Sequence, residues 1–168
     1  LDQIIKEAKK VFVALDPDGS WSEKKLQYTF SSGFVYKFGH CKDASDYDQY
    51  YSNEYTFIIY DEGTQFEEIQ YQEINNRLRT VDPVLIQMMK IRMMSNPVAS
   101  KDGMAGLKVT NPHWVRDYFV EPCVPGRKTI VERIEMDDGT VEDHRRIYLP
   151  ARLTDNPDPV FVRQYEMN

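Results

Sequence analysis

Cysteine and histidine are scarce in this sequence. Its 168 residues include two cysteines, Cys41 and Cys123, and three histidines, His40, His113 and His144. The cysteines lie too far apart in the chain to make the paired ligand spacing of a structural zinc site, and the histidines add little to them. We therefore expect no metal framework built on cysteine, and we expect both thiols to be reduced.

Long hydrophobic runs are also missing. No apolar stretch reaches the ~20 residues that a membrane-spanning helix needs, and no basic, then apolar leader opens the chain. The net charge of -6 argues against nonspecific coating of nucleic acid, although a motor protein can confine its basic residues to one strip. With 41% hydrophobic and 12% aromatic residues, we expect one soluble intracellular domain with a real core.

The most informative segment that is present is an apolar run ending in two adjacent carboxylates, YTFIIYDE at residues 55–62. A parallel strand buried on both faces is apolar almost throughout, and ligands gather at the carboxyl ends of such strands. The segment is typical of a Walker B element of nucleotide hydrolases. Asp61 is then predicted to hold a magnesium ion, and Glu62 to orient and partly deprotonate the attacking water.

A plainer interpretation of the same residues is a strand-to-helix turn. In that case Thr64 or Asp61 caps the helix that follows, and the carboxylates have no catalytic task. Farther along, the apolar stretch at residues 91–94 ends in Ser95-Asn96-Pro97. The order strand, helix, strand is typical of a βαβ unit, which places small polar groups at a strand end beside the acids.

Hydrophobic periodicity predicts the elements around this unit. The first is an amphipathic helix that ends by Asp16, with a core face made of Leu1, Ile4, Ile5, Ala8, Phe12 and Leu15. β-rich runs predict two hairpins, at residues 26–38 around Ser31-Ser32-Gly33 and at residues 129–149 around Asp137-Asp138-Gly139-Thr140. The aromatic residues of the first hairpin are expected to pack in the core rather than to stack on bases.

The segments between these elements are more polar. Residues 42–54 are acidic and rich in tyrosine, which predicts a solvated loop or a short helix. Before Asp82-Pro83 a helix is expected, with one stripe of Phe66, Ile69, Glu73, Ile74 and Leu78. Residues 98–112 are predicted to form a mobile loop, followed by a short helix over 113–120 that Trp114 anchors in the core.

Several motifs of the chain, in this order, resemble those of the large terminase subunits, the ATP-driven motors that package DNA into the capsids of tailed phages. They are Ser31-Ser32-Gly33, Phe38-Gly39-His40, residues 55–62, Arg77-Leu78-Arg79, Ser95-Asn96-Pro97, residues 111–116 (NPHWVR) and residues 150–157 (PARLTDNP). The resemblance covers nearly the whole chain. It is far more specific than the Asp61-Glu62 pair alone.

The resemblance implies an α/β fold, as part of an additional-strand P-loop NTPase core with a parallel sheet, flanking helices and β-hairpins. It implies that Asp61 binds Mg²⁺ through water, that Glu62 is the catalytic glutamate, and that Ser95 and Asn96 sense the γ-phosphate and couple its loss to movement. ATP and Mg²⁺ are the implied cofactors. The implied partners are double-stranded DNA, the portal protein, the small terminase subunit and further copies in a homo-oligomeric ring. Assembly would take place in the host cytoplasm, without secretion or membrane attachment.

The chain also departs from the family. It contains no Gly-x-x-x-x-Gly-Lys-Ser/Thr loop to cradle phosphates, and the family's nuclease domain is absent. Residues 1–168 are therefore expected to be a single domain, the latter part of a terminase-like ATPase domain cut at both ends, with little or no ATP turnover alone. Gln49 stands where many relatives carry an arginine thought to reach a neighbouring subunit's ATP, so Arg77 or Arg79 is the suggested substitute.

Two alternatives to a packaging motor remain open. One is a non-hydrolysing remnant or regulatory module that binds a basic partner through the acidic residues 43–48, and the other is a different P-loop helicase or translocase. The residues suggested for DNA contact are basic, and each is otherwise expected to be a solvated surface charge: Lys101, Lys108, Arg127, Lys128, Arg145 and Arg146.

Overall fold

The chain divides into two compact units, each built of helices and short strands, in keeping with a mixed α/β class. The computed structural model describes residues 1–43, 45–95, 112–123, 126–135, 139–150 and 155. The first unit comprises Leu1–Ile58 and Ile69–Ile91, and the second comprises Ile59–Glu68 and Arg92–Asn168. In the described ranges, no helix combines the length and the hydrophobicity that crossing a bilayer requires.

Helix α1 (Asp2–Leu15) confirms the predicted opening helix. Its sequence contains neither glycine nor proline, and its apolar residues recur at helical spacing. The helix ends at Asp16, which the following hairpin holds in place. The Tyr28 hydroxyl donates to the Asp16 carbonyl at 2.7 Å, and the Ser31 amide donates to the Asp16 carboxylate at 2.6 Å.

Three short strands form an antiparallel sheet in chain order, namely β1 (Ser20–Ser22), β2 (Gln27–Thr29) and β3 (Val35–Lys37). Tyr28 of the central strand pairs with Trp21 on one side and with Tyr36 on the other. Gly33, at φ +86°, supplies the left-handed turn between β2 and β3. These two strands confirm the predicted first hairpin, and β1 adds a third strand to it.

The core between α1 and this sheet is aromatic and centres on Phe12. The centroid of its ring lies 5.1 to 6.4 Å from those of Tyr28, Phe30, Tyr36 and Phe38. Tilted and edge-on pairs at such distances add to the free energy gained by burying apolar surface. The prediction that the aromatic residues of the hairpin pack in the core is confirmed for these four rings, whereas Phe34 is 51% exposed.

The predicted core face of α1 is only partly correct. Ile5 is buried, whereas Leu1, Ile4 and Leu15 are 45%, 43% and 72% exposed. The contacts of the helix with the aromatic residues of the hairpin come from Phe12. Because each strand of the sheet has only three residues, the sheet is too narrow to cover a second apolar stripe of the helix.

The second sheet consists of two neighbouring strands, β4 (Phe57–Tyr60) and β5 (Lys90–Met93). The Lys90 amide donates to the Thr56 carbonyl at 3.3 Å, and the Met94 amide donates to the Tyr60 carbonyl at 2.9 Å. Both partners advance by four residues in the same direction between the two hydrogen bonds, so the strands are parallel. The predicted pair of parallel strands is present.

At its beginning, β4 has a further parallel neighbour. Tyr55 forms an isolated bridge with Leu78, in which the Tyr55 amide donates to the Arg77 carbonyl at 2.8 Å and the Arg79 amide donates to the Tyr55 carbonyl at 3.0 Å. Successive residues of an extended chain direct their backbone groups to opposite edges. Leu78 and the start of β5 therefore flank the start of β4 on different sides.

Helix α2 (Glu68–Asn75) follows β4 and is shorter than predicted. Gln70 and Ile74 are among its buried residues, whereas Ile69, which was expected in the buried stripe, is 42% exposed. The Gln70 side-chain amide donates to the Asp43 carbonyl at 2.8 Å, which offsets the cost of burying a polar group. Hydrophobic periodicity carries no signal for such a buried glutamine.

Two short helical segments lie in the loops of the first unit. A 3₁₀ turn (Asp46–Tyr50) confirms the short helix expected in the acidic segment. Helix α3 (Pro83–Ile86) begins at Asp82, whose carboxylate accepts hydrogen bonds from the amides of Val84 and Leu85. An aspartate followed by a proline is a favoured helix start, since it satisfies free amides and presets the backbone.

The latter part of the second unit contains a run of helical turns and a hairpin. The turns are α4 (Pro112–Val115), a π-helical turn (Arg116–Val120) and a 3₁₀ turn (Glu121–Cys123). The antiparallel hairpin is formed by β6 (Thr129–Glu135) and β7 (Val141–Ile147). Trp114 is buried, as predicted, and Cys123 is completely buried. Both the predicted short helix and the second predicted hairpin are confirmed.

Removing the central ring of the aromatic core tests this packing. Phe12→Ala is expected to lower the free energy of unfolding by about 3 kcal/mol, because it leaves a cavity among four rings. Val11→Ala is the matched control, since Val11 is 53% exposed, and its effect is expected to stay below about 0.5 kcal/mol. Urea unfolding followed by fluorescence measures both values, and equal effects would contradict the assigned core face.

Candidate functional site

Asp61 and Glu62 follow directly on β4 and are both exposed. Within the part of the chain that the structure describes, neither carboxylate makes a hydrogen bond or an ion pair. A 3₁₀ turn, Gly63–Gln65, comes next, and helix α2 begins only after it. The hydrogen bonds of Thr64 go to Ser95 rather than to the start of α2, so the structure does not support capping by Asp61 or Thr64.

The backbone of Glu62 is in the left-handed region, at φ 50° and ψ 46°. For a residue with a Cβ this conformation costs roughly 1–2 kcal/mol, and the tertiary structure must compensate for it. Non-glycine residues held in this way are concentrated at functional sites. An exposed carboxylate on a strained backbone at a strand end therefore identifies Glu62 as the central residue of the candidate site.

Gly63 connects the acidic loop, residues 61–65, to the end of β5. Its amide donates to the Met94 carbonyl at 2.9 Å, and it is buried. A Cβ at this position would overlap the Cγ and Sδ atoms of Met93. Only glycine permits this approach without a shift of Met93, so the chain passes against β5 immediately after Glu62.

Thr64 makes a second attachment between the loop and the segment after β5. Its amide donates to Ser95 Oγ at 3.2 Å, and its own hydroxyl lies 2.6 Å from the same oxygen. The structure thus brings Ser95, a predicted site residue, to the acidic loop. Asn96, the other residue of that predicted motif, lies outside the described residues.

Phe66, which follows the loop, is held by contacts with two buried aromatic residues. The indole nitrogen of Trp114 donates to the Phe66 carbonyl at 2.9 Å, and the Phe66 ring meets the Tyr60 ring edge-on at 5.1 Å between centroids. Tyr60 and Trp114 are 3% and 5% exposed. These contacts hold the chain at Tyr60, before the acids, and at Phe66, after them. They also give Trp114, in the motif at residues 111–116, a structural role.

The arginines suggested as trans-acting groups, Arg77 and Arg79, belong to the first unit, whereas Asp61 and Glu62 belong to the second. The Arg77 guanidinium lies 4.8 Å from the centroid of the Tyr51 ring and 4.0 Å from the Glu73 carboxylate, and its side chain is only 20% exposed. The Arg79 side chain is 54% exposed and pairs with Glu54 at 3.1 Å. Of the two, Arg79 is the more accessible.

Gln49, which the predicted resemblance aligns with an arginine of terminases, makes hydrogen bonds within its own segment. Its side-chain amide donates to the carbonyls of His40 and Asp46 at 3.1 and 2.8 Å. In the same acidic segment the amides of Asp43 and Lys42 donate to the Asp46 carboxylate, and these hydrogen bonds lower the pKa of Asp46. This carboxylate is engaged within its own loop, which weakens the case for residues 43–48 as a docking surface.

The residues suggested for DNA contact are divided by their environment. Arg145 is exposed but lies 3.8 Å from the Asp143 carboxylate. Arg146 is 16% exposed, pairs with Glu132 at 3.2 Å and stacks on the Tyr118 ring at 4.0 Å. Arg127 and Lys128 are exposed and form no ion pair with a described side chain, whereas Lys101 and Lys108 lie outside the described residues.

The acid pair fits a magnesium–nucleotide complex better than a magnesium site made wholly by protein. Among the described residues, no group of three or more histidine, cysteine, aspartate or glutamate side chains is arranged to hold a metal. Magnesium bound with a nucleotide needs only one or two carboxylates, since phosphate oxygens and waters complete its ligands. Asp61, the predicted magnesium ligand, satisfies that smaller requirement.

Sequence reasoning missed two residues of this site. Gly63 was given no task, and Thr64 was considered only as a helix cap. The one signal available was their position directly after two acids at a strand end. The partners that give them their tasks, Met93 and Ser95, are about thirty residues away in the chain, and only the parallel pairing of β4 with β5 brings them together.

No protein-family model, curated protein or solved structure matches the chain. The terminase resemblance therefore stays a prediction from the motifs. The functional argument rests on the geometry of Asp61, Glu62, Gly63, Thr64 and Ser95.

Replacing Glu62 with glycine tests the strain at this position. Glu62→Gly is expected to raise the free energy of unfolding by about 1 kcal/mol, because glycine adopts the left-handed conformation without a steric cost. Arg127→Gly, at an exposed residue with φ 59°, is expected to act in the same direction. Gln65→Gly, in the neighbouring helical turn, is expected to destabilise by about 0.5–1 kcal/mol. Destabilisation by Glu62→Gly in thermal unfolding would contradict the assigned backbone.

The contact between Gly63 and Met93 is tested by a double-mutant cycle. Gly63→Ala is expected to cost about 1–3 kcal/mol of stability, because the added Cβ displaces the Met93 side chain. In a Met93→Ala background the same change is expected to cost much less, since the obstructing atoms are gone. Gly33→Ala serves as the control, since a Cβ there has nothing within 4 Å and only the backbone strain remains. Additive effects at Gly63 and Met93 would refute the contact.

Proposed function

We propose that the chain carries the acidic half of an ATP-hydrolysing site of the P-loop class. A single observation carries the proposal. Glu62 is exposed and strained at the carboxyl end of a parallel strand, and the loop that presents it is fastened to the end of the neighbouring strand through Gly63 and Thr64. Ends of adjacent parallel strands are where such folds bind their ligands.

The two acids have different tasks in this proposal. Asp61, the first residue after β4, would hold the magnesium of the nucleotide complex through a water molecule. The bound ion neutralises charge on the phosphates. Glu62 would accept a hydrogen bond from the attacking water, orient it and take up its proton. An ionised carboxylate is a pure hydrogen-bond acceptor, and within the described residues no other group competes for that of Glu62.

The phosphate-binding groups must come from outside these 168 residues, because the sequence contains no Gly-x-x-x-x-Gly-Lys-Ser/Thr loop. The acids alone leave the nucleotide without a fixed position, and positioning accounts for most of the catalysis of phosphoryl transfer. We therefore expect little or no turnover from the 168-residue chain by itself. The proposal also includes the fold, in which this chain forms the latter part of an additional-strand P-loop core.

The wider role follows from the resemblance of the motifs to large terminase subunits. We propose that the complete protein is a packaging motor that hydrolyses ATP, assembles as a ring with a portal and a small terminase subunit, and moves double-stranded DNA. A helicase of the same class is the competing assignment. ATP hydrolysis stimulated by duplex DNA without strand separation would favour the motor, and unwinding of the duplex would favour the helicase.

The test begins with the DNA that encodes the chain. Reading the frame upstream of Leu1 is expected to reveal a glycine-rich loop ending in Lys-Ser or Lys-Thr. In the protein that includes this loop, Glu62→Gln is expected to lower kcat for magnesium-dependent ATP hydrolysis by about 10²–10⁴-fold, the usual contribution of a general base, with little change in nucleotide affinity. Glu135→Gln, at an exposed glutamate of β6, is the matched control and is expected to have no effect.

Three outcomes would count against the proposal. An unchanged kcat in Glu62→Gln would remove the catalytic role of that residue. A frame that starts near Leu1, with no phosphate-binding loop encoded nearby, would favour a non-hydrolysing module that works by binding. Robust ATP hydrolysis by the 168 residues alone, abolished by Glu62→Gln, would show that the required phosphate-binding groups lie within this chain after all.

A further inference from the structure

Ser95 Oγ is engaged by the acidic loop. It accepts a hydrogen bond from the Thr64 amide at 3.2 Å and lies 2.6 Å from the Thr64 hydroxyl, across 31 residues of sequence. A serine hydroxyl has one proton to donate and two lone pairs to accept with. Two contacts to one residue therefore use most of its hydrogen-bonding capacity.

We propose that Thr64 and Ser95 form a clasp that holds Glu62 in its left-handed conformation and thereby sets the direction of its carboxylate. Ser95 then acts on the chemistry through Thr64, as a positioning residue, rather than by touching the nucleotide. Thr64 is a positioning residue of the same kind. The inference rests on the proposed function, because it assigns the clasp to the carboxylate that orients the water.

The position of the clasp in the chain supports this task. Glu62 is one residue before Gly63, which hydrogen-bonds to Met94, and two before Thr64, which hydrogen-bonds to Ser95. A left-handed residue relaxes to another conformation when the chain on either side is free to rotate. Successive attachments to the segment after β5 remove that freedom on the C-terminal side, and β4 removes it on the N-terminal side.

The clasp also links the two predicted motifs physically. Loss of the contact between Thr64 and Ser95 would release Glu62, so a displacement of the segment after β5 would change the direction of the carboxylate. Such a contact has two discrete arrangements, made or broken, which is what coupling between elements requires.

The test uses the 168-residue chain and two variants that each remove one hydroxyl, Thr64→Val and Ser95→Ala. The conservative variants Thr64→Ser and Ser95→Thr keep a hydroxyl at each position. Thr80→Val is the matched control, since the Thr80 hydroxyl accepts a hydrogen bond from the Asp82 amide at 3.2 Å in the other unit.

Nuclear magnetic resonance supplies three readouts. Hydrogen exchange reports the protection of the amide at position 64, and the Cα and Cβ shifts of Glu62 report its backbone conformation. Titration with Mn²⁺ alone, as a probe, reports cation affinity through the broadening of the amides of Asp61 and Glu62. A contact that matters only for packing would change stability without moving the Glu62 shifts, whereas the Mn²⁺ titration tests the acid pair itself.

In Thr64→Val and in Ser95→Ala, the Glu62 shifts are expected to leave the left-handed range. The amide at position 64 is expected to lose protection in Ser95→Ala, because that change removes its acceptor. Mn²⁺ affinity is expected to change little, since Asp61 rather than Glu62 holds the cation in the proposed function. The double variant is expected to resemble Ser95→Ala, since that change already removes both contacts with Thr64. Thr64→Ser and Ser95→Thr are expected to retain the wild-type values, as is Thr80→Val.

Unchanged Glu62 shifts in both hydroxyl variants would overturn the proposal and leave the contact a purely structural one. Changed Glu62 shifts in Ser95→Ala with unchanged protection of the amide at position 64 would also overturn it, because Ser95 would then not act through Thr64. If the wild-type chain shows no Mn²⁺ broadening, the acid pair of the proposed function fails on its own account. The shifts of Glu62 still decide the clasp in that case.

Discussion

The candidate site depends on the close approach of the Gly63 backbone to Met93. Without a Cβ at Gly63 the chain leaves β4, turns through Glu62 and immediately meets the end of β5, where a hydrogen bond to Met94 and the contact with Ser95 hold it. A larger residue at this position would overlap the Met93 side chain and displace it. The left-handed conformation of Glu62 is thus maintained by tertiary contacts rather than by the preference of its own residue type.

The acid pair differs from several other charged groups of the chain, which are compensated. Arg79 pairs with Glu54, Arg146 pairs with Glu132, and the Asp46 carboxylate is satisfied by two backbone amides. Within the described residues, Asp61 and Glu62 have no such partner. Two adjacent carboxylates held without compensation gain from a cation and from a water molecule that donates to them, which are the ligands that the proposed reaction supplies.

Local sequence patterns predicted the helices and strands of this chain better than they predicted which side chains are buried. Helix α1 and both hairpins were predicted from periodicity and from turn residues such as Gly33 and Gly139, because these signals act over a few neighbouring residues. Burial was less predictable. Ile4 and Ile69 are exposed despite their apolar side chains, and Gln70 is buried, since the extent of the facing sheet and a distant carbonyl decide these environments.

The two carboxylates after one strand, Ser95 shortly after a second strand and a helix between them can all be predicted from the chain alone. Those features follow from the order and spacing of residue types along one stretch of chain. The left-handed backbone of Glu62, the contact of Gly63 with Met93 and the contact of Thr64 with Ser95 cannot be predicted in that way. The reason is physical, since parallel pairing joins residues about thirty positions apart, and their contacts exist only once both strands are in register.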